Sequence, residues 1–202
     1  IEDYGKGWCT LALEARRRAP EPQSEDKPES DLWLAFAPIK RARLDFLVEK
    51  ATELGVTALW PVLTRHTAVQ RVNVQRMRTI ATEAAEQSER LSVPEIRPAV
   101  ALDALTADWP AQRRLLVCDE TGAGVALADV LRDGDAARGP HAILTGPEGG
   151  FAAGELDALA KLPFVRRVGL GPRVLRADTA ALAALAVFQA LTQDRLGRPP
   201  AR

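Results

Sequence analysis

Cysteine and histidine are scarce in this sequence, with two of each among 202 residues. Cys9 and Cys118 lie far apart, and their spacing is not that of metal ligands. Because the sequence also has only two histidines, it argues against a zinc site, and we predict no metal centre. So little cysteine is typical of a reduced compartment, and the location we expect is cytoplasmic.

The sequence also lacks a long apolar run. Its most apolar segment, residues 180–191, is interrupted by Gln189 and is too short to cross a bilayer, so we predict no membrane partner. The start of the chain does not have the pattern of a signal peptide. Because it opens on Ile1 and not on Met, we expect an N-terminal portion to precede it.

An excess of one charge is missing as well. Lys and Arg together number 27, as do Asp and Glu, so any binding to nucleic acid requires a local basic face. A hydrophobic content of 47% and a charged content of 27% are typical of a globular protein with a sizeable core. Seven basic residues could together form an RNA-facing patch, although each of them alone is more often a solvated charge. They are Arg41, Arg43, Arg65, His66, Arg71, Arg76 and Arg78.

The chain divides into three parts. Residues 1–18 contain strand-like segments without partners, and we interpret them as the tail of a separate domain. Residues 19–30 are rich in proline and acids and predict a linker. The main domain is predicted over residues 31–202.

Strands and helices alternate along the main domain, which predicts an α/β fold with a mainly parallel sheet covered on both faces. Strands are predicted at residues 32–39, 56–63, 95–100, 114–119, 141–146 and 165–170. Long helices are predicted from Lys40 to Leu54 with Gly55 as the stop, from a cap at Asn73 to about Arg90, and from a cap at Asp178 or Thr179 to about Asp194.

Two glycine-containing loops follow predicted strands, at 146–151 and 171–176. Ligands bind at the carboxyl ends of strands in such sheets, and glycine lets a ligand approach the main chain. A P-loop is disfavoured because its Gly-Lys-Ser/Thr ending is absent, and Gly-x-Gly-x-x-Gly is absent too. For either loop alone, a tight turn without a ligand is the better interpretation.

The last predicted helix strengthens the ligand interpretation. Residues 180–188 are apolar on nearly every side, and such a helix must be covered all round. We therefore expect it in a deep core or at a subunit interface, behind the two loops.

Four segments in order then resemble one family: "EKATELGV" (49–56), "EAAEQSERLSVPEI" (83–96), "LTGPEGGF" (144–151) and "LGPRVLRADTAAL" (170–182). They are similar to SPOUT-class RNA methyltransferases, and in particular to the bacterial family that methylates uridine N3 in small-subunit (16S) ribosomal RNA. The resemblance covers about residues 32–194. Asp178 stands where the family usually has Glu, and an N-terminal PUA-like barrel would be represented only by its last strands in residues 1–18.

The resemblance implies a C-terminal trefoil knot that binds S-adenosylmethionine, a homodimer formed across the knot, and 16S rRNA or the small ribosomal subunit as substrate. It implies that the cofactor lies between the two loops, contacted mainly by main-chain groups. The expected cofactor-binding residues are Leu144, Thr145, Gly146, Pro147, Glu148, Gly149, Gly150, Leu170, Gly171, Val174, Leu175, Arg176 and Thr179. For Glu148 we favour a latch that accepts hydrogen bonds from its own loop.

Catalytic residues are less clearly marked. Methylation at N3 requires loss of the N3 proton, and no residue is an obvious base, so Arg176 or Arg90 is predicted to stabilise the uracil anion. The resemblance implies that Gln87 and Arg90 lie near the reacting base or near the site of the dimer partner. The alternative is a solvated helix face held by ion pairs. Arg176 could equally form a structural ion pair.

Other functions stay open at this point. A relative could methylate another RNA position, or the chain could be an RNA-binding or ribosome-assembly module without activity. A nucleotide-phosphate binder would use the loop at 146–151 and bind ATP instead.

Overall fold

The computed structural model describes residues 3–5, 8–10, 31–133 and 139–192. The first two segments form an antiparallel pair, β1 (Asp3–Gly5) with β2 (Trp8–Thr10). The predicted linker at 19–30 and the rest of the predicted domain tail at 1–18 lie outside the described residues. The assignment of that tail to a barrel therefore stays a prediction.

A single parallel sheet organises the main domain. Its strand order is β5-β4-β3-β9-β7-β10-β8, with β6 also paired to β4, and every pairing is parallel. The strands are β3 (Leu32–Phe36), β4 (Ala58–Leu63), β5 (Glu95–Ile96), β6 (Val100–Ala101), β7 (Arg114–Cys118), β8 (Val125–Ala126), β9 (His141–Thr145) and β10 (Val165–Gly169). The predicted α/β class with a mainly parallel sheet is confirmed.

Helices cover both faces of this sheet. Along β3, Leu32, Leu34 and Phe36 belong to one buried cluster, and Ala35 belongs to the other, as the two-residue period of a strand requires. The first cluster includes residues of α1, α2, α4 and α6, and the second includes residues of α3 and α5. The helices are α1 (Arg41–Glu53), α2 (Val74–Gln87), α3 (Leu102–Ala107), α4 (Leu127–Arg132), α5 (Ala153–Ala160) and α6 (Ala177–Thr192).

Helix ends follow local signals in two cases. Gly55 follows α1 with φ of 82°, a conformation that glycine adopts without strain. The Asn73 side chain accepts a hydrogen bond from the Arg76 amide and caps α2. Both predictions are confirmed.

Several predicted boundaries are wrong. The segment predicted as a strand at 95–100 is two short strands, β5 and β6; Pro98 between them has no N–H to give to a ladder. The strand predicted at 32–39 ends at Phe36, and the one predicted at 56–63 begins at Ala58. The last helix begins at Ala177, so Asp178 and Thr179 lie in its first turn and are not its cap.

Within the described residues, helix α6 is not covered on every side. Ala181, Ala184, Leu185 and Phe188 are buried against the sheet and neighbouring helices. Ala186 and Ala190 are exposed, although the sequence predicts cover on every side. Cover by a second subunit, like the knot itself, stays a prediction.

Candidate cofactor-binding site

Three neighbouring strands, β9, β7 and β10, end at the same edge of the sheet, and the loops that follow them enclose one cavity of about 590 Å³. The two loops predicted from the sequence, at 146–151 and 171–176, face each other across it. The predicted residues that line it are Thr145, Gly146, Pro147, Glu148, Gly150, Leu170, Gly171, Val174, Leu175 and Arg176.

Three other residues predicted to contact the cofactor are not part of the cavity wall. Leu144 is fully buried in the core below it. Gly149 lies against the His66 side chain on the outer side of the loop, and Thr179 is exposed in the first turn of α6.

The third loop, which follows β7, is missing from the sequence-based site. Its cavity-lining residues include Asp119, Glu120, Thr121, Gly122 and Gly124, and Cys118 at the end of β7 also lines the cavity. A signal was present, because this loop also contains glycines and follows a predicted strand. The glycine spacing excludes only a dinucleotide motif, whereas the carboxyl-end rule applies to this strand as well.

Gly124 lets this third loop pack against β10. A β-carbon at this position would lie 2.6 Å from the Val168 carbonyl carbon and 2.8 Å from the Gly169 nitrogen. Both atoms belong to the backbone and cannot rotate away. A glycine is therefore required where β8 joins the edge of the sheet.

Asp119 anchors the third loop from below. Its Oδ1 accepts hydrogen bonds from the Thr121 amide at 2.8 Å and hydroxyl at 2.7 Å, and its Oδ2 accepts one from Arg167 Nε at 2.9 Å. Burial raises the pKa of Asp119, but the hydrogen bonds from Thr121 and Arg167 outweigh it and hold the pKa below its usual value. The carboxylate therefore stays ionised at neutral pH and fixes the loop.

Glu120 connects the third loop to the glycine loop after β9. Its Oε1 accepts a hydrogen bond from the Phe151 amide at 2.8 Å. Gly150, with φ of 69°, makes room for this contact, because a β-carbon there would lie 2.2 Å from the same oxygen. The carboxylate that holds this loop thus comes from a neighbouring strand end.

Glu148 does not act as the predicted latch. Its side chain is exposed on the cavity wall and accepts no hydrogen bond from another described residue. The turn is instead closed by the Gly150 amide, which donates to the Pro147 carbonyl at 2.9 Å. Glu148 remains available to a ligand in the cavity.

The loop after β4 supports the glycine loop from outside. His66 Nδ1 lies 3.1 Å from the Gly150 carbonyl oxygen. The Glu155 carboxylate accepts hydrogen bonds from the amides of Arg65 at 2.9 Å and Ala152 at 2.8 Å. These contacts fix the glycine loop relative to β4 and α5.

The basic residues of the predicted RNA-facing patch lie at the same edge of the sheet as the cavity. Arg41 is the first residue of α1, Arg65 and His66 follow β4, Arg71 precedes α2, and Arg76 and Arg78 lie in the first two turns of α2. Arg76 is paired with Asp45, and Arg43 with Asp178. Arg41, Arg65, Arg71 and Arg78 have exposed side chains.

Arg176 and Arg90 lie at opposite ends of the molecule. Arg176 is exposed and lines the cavity. Arg90 follows α2 at the amino-terminal edge of the sheet, where its Nη1 donates to the carbonyls of Thr52 at 2.7 Å and Val56 at 3.0 Å. Gln87, at the end of α2, is exposed near that edge. Within one chain, neither Arg90 nor Gln87 is brought to the cavity.

The described residues contain no group of three or more His, Cys, Asp and Glu side chains that could hold a metal ion. Cys118 lines the cavity, but burial raises the pKa of its thiol to about 12. It is therefore neither a ready thiolate ligand nor a nucleophile. Among the helices in the described part of the chain, none has the length and apolar content to cross a membrane.

A parallel sheet with three glycine-containing loops around a cavity at its carboxyl edge is the arrangement in which α/β proteins bind nucleotide-like ligands. The particular family follows from comparison with known proteins. Residues 25–189 match the family model described as an RNA methyltransferase domain, and the chain belongs to this family.

Individual relatives agree with this assignment. Ribosomal RNA small subunit methyltransferase E of Rickettsia conorii is 32% identical over 197 residues, which cover 95% of this chain and 75% of that protein. The protein of the same name from Synechocystis is 34% identical over 166 residues, which cover 80% of this chain and 54% of that protein. The chain thus spans from about half to three quarters of the length of these relatives.

A solved structure supports the same family. Ribosomal RNA small subunit methyltransferase E from Neisseria gonorrhoeae, crystallised with S-adenosyl methionine bound, has a TM-score of 0.73 and 30% identity to this chain. The match covers 80% of this chain and 66% of that one. The family predicted from the four sequence segments is confirmed.

Proposed function

We propose that this chain binds S-adenosylmethionine in the cavity between the three loops and methylates N3 of a uridine in small-subunit ribosomal RNA. The observation that carries the proposal is the cavity itself, at the carboxyl edge of β7, β9 and β10, in a chain that belongs to an RNA methyltransferase family. The names of the relatives support the ribosomal substrate. Uridine N3 is the position that the sequence resemblance implies.

The cavity fits such a cofactor. Its volume of about 590 Å³ lies within the range of small-molecule sites. At Gly122 and Gly171, a β-carbon would meet no atom within 4 Å, so bare peptide groups face open space there. Main-chain N–H and C=O groups can therefore contact a ligand directly, as the resemblance implies for adenine and ribose.

When bound, S-adenosylmethionine supplies a methyl group made electrophilic by the sulfonium charge. The task of the protein is then to hold the acceptor base in line and to stabilise charge. Uracil N3 must lose its proton before its lone pair can attack, which leaves an anion on the base. The Arg176 guanidinium is suited to stabilise that anion, because it is exposed on the cavity wall.

The exposed arginines at the same edge suit an RNA substrate. N3 lies on the Watson–Crick edge of uracil, so the target nucleotide must be unpaired or turned out of its stack. Arg41, Arg65, Arg71 and Arg78 would hold the flanking phosphates while the base enters.

A homodimer is part of the proposal. The apolar outer side of α6, where Ala186 and Ala190 are exposed, supports a subunit contact next to the cavity. Arg90 and Gln87 would take part in catalysis only if a second chain brought them to the cavity. The reaction would take place in the cytoplasm, where ribosomes are assembled.

The test is to incubate 16S rRNA and small ribosomal subunits with the chain and S-adenosylmethionine, and to map methylated nucleotides by mass spectrometry. We expect one uridine methylated at N3, and strongly reduced methylation with Arg176→Ala. Methylation at another atom or base would replace the proposed specificity. Absence of S-adenosylmethionine binding in calorimetry would favour a binding module without activity.

The N-terminal part of the longer relatives supplies a second experiment. If that part grips RNA, this chain should bind the cofactor normally but methylate poorly. The comparison is between this chain and a version extended to the length of its relatives. Equal methylation rates of the two versions would reject a role for that N-terminal part in methylation.

A further inference from the structure

Glu120 has an unused hydrogen-bonding capacity inside the cavity. Its Oε1 accepts the Phe151 amide, whereas its Oε2 forms no hydrogen bond with another described residue. The side chain is exposed and lines the cavity. Asp119 beside it has both oxygens engaged, by Thr121 and Arg167, and so serves the structure of the loop.

The Glu120 carboxylate is also held in place. The hydrogen bond from Phe151 fixes one oxygen, and the absence of a side chain at Gly150 lets the carboxylate lie against the loop. Asp119 fixes the backbone directly before Glu120. A carboxylate oriented by two neighbouring loops is suited to recognise a ligand without further ordering.

Several chemical groups of a methyl donor could meet this carboxylate. The adenine edge offers donors and acceptors that complementary main-chain groups can satisfy. The two ribose hydroxyls are adjacent donors, and a carboxylate can accept from both at once. In other parallel α/β sheets, an acidic residue accepts hydrogen bonds from ribose hydroxyls at the same edge.

Resting on the proposed function, we propose that Glu120 recognises the ribose of the methyl donor through hydrogen bonds from its 2′- and 3′-hydroxyls. One oxygen of the Glu120 carboxylate then accepts the hydrogen bond from the glycine loop. The remaining lone pairs of the carboxylate accept the hydrogen bonds from the cofactor. Glu120 is therefore a specificity-determining residue for the donor, distinct from residues that contact RNA.

The experiment is calorimetric binding of S-adenosylhomocysteine and its 2′-deoxy and 3′-deoxy analogues to the wild-type chain and to Glu120→Ala. We expect the wild type to bind at least one deoxy analogue about 10- to 100-fold more weakly, as for loss of a hydrogen bond to a charged group. Glu120→Ala should bind S-adenosylhomocysteine correspondingly weakly and no longer distinguish it from that analogue. Asp157→Asn, which removes an exposed carboxylate on α5, controls for net charge.

The outcomes separate this inference from the proposed function. Equal binding of all three ligands by the wild type would overturn the role of Glu120, as would a Glu120→Ala variant that still discriminates. Neither result would affect donor binding as such. If the wild type fails to bind S-adenosylhomocysteine and S-adenosylmethionine, the proposed function fails, and this inference fails with it.

Discussion

Arg43 Nη1 donates a hydrogen bond to Asp178 Oδ2 over 2.9 Å and joins the first turn of α1 to the first turn of α6. The Asp178 side chain is only 13% exposed, whereas that of Arg43 is 43% exposed. Because the cavity-lining loop at 171–176 leads directly into α6, this ion pair fixes the point at which the loop ends. The acidic residue that the sequence suggested as a helix cap is thus a tether between two helices.

Removing the ion pair between Arg43 and Asp178 should make the loop at 171–176 less well ordered. Asp178→Ala is expected to lower the free energy of unfolding by about 1 kcal/mol, since one partner is exposed. S-adenosylmethionine affinity should fall more than this small loss of stability implies, because the loop lines the site. Chemical denaturation and calorimetry measure the two quantities.

Asp178→Glu serves as the matched control, because it keeps the charge and should retain most of the affinity. A double-mutant cycle with Arg43→Ala should show coupling between the two positions. Additive effects of the two substitutions would mean that the ion pair does not carry the effect.

Gly150 should tolerate no side chain while Glu120 is present. Gly150→Ala places a β-carbon where φ is 69° and where the Glu120 oxygen already lies. The backbone conformation alone should cost about 1–2 kcal/mol, and displacement of Glu120 adds to it. Thermal unfolding should show the loss.

The combination Gly150→Ala with Glu120→Ala divides this cost. Glu120→Ala removes the oxygen that the methyl group introduced at position 150 would meet. Glu120→Ala should therefore cost less stability in the Gly150→Ala background than in the wild type. If the stability losses of the two substitutions are additive, the contact between positions 120 and 150 contributes nothing to stability.

The sequence predicted the two glycine loops that line the cavity because their signals are local. Residues 141–145 are mainly apolar and residues 165–169 carry two β-branched valines, which mark strands, and the glycines that follow them mark the loops. The link from Glu120 to Phe151 could not be predicted, because it depends on β7 lying between β9 and β10 in the sheet. Strand order is a tertiary property, and no spacing within one segment encodes it.

Arg90 is a second residue whose role depends on tertiary structure and could not be predicted from local sequence. Its position in a segment shared with RNA methyltransferases suggested a catalytic role, whereas its guanidinium donates to backbone carbonyls at the end of α1 and to the Ser92 hydroxyl. Gln189 of α6 donates to a third carbonyl there, that of Leu54. Carbonyls at a helix end lack partners within the helix, and two distant segments satisfy them here.

Arg90→Ala should therefore destabilise the fold and spare cofactor binding. Loss of a charged donor to partly buried carbonyls is expected to cost about 2 kcal/mol. S-adenosylmethionine affinity should stay unchanged, because the cavity lies at the opposite edge of the sheet. Urea unfolding and calorimetry on the same samples make the comparison.

Arg90→Lys controls for charge and should recover only part of the stability, because lysine lacks the planar fork of donors. If Arg90→Ala instead has normal stability but no methylation activity, Arg90 takes part in the reaction through a second subunit.

Cys118 should be nearly inert to thiol reagents in the folded protein, although it lines the cofactor cavity. Burial raises the pKa of its thiol to about 12. At pH 8 only about one molecule in ten thousand would then carry the reactive thiolate. Since the folded-state pKa lies above the ordinary value of 9.0, the neutral thiol stabilises the fold below pH 9, and this contribution is lost as the pH rises toward 12.

The measurement uses Cys9→Ser, which leaves Cys118 as the single thiol of the chain. Reaction with an aromatic disulfide reagent at pH 8 should be slow in buffer and rapid in concentrated guanidinium, where the thiol regains its ordinary pKa. S-adenosylmethionine should slow the reaction in buffer further, since it would both cover the cavity and stabilise the folded state. Fast labelling of the folded chain would show instead that the thiol is accessible and ionised, and that the wall of the cavity below Glu120 is open to water.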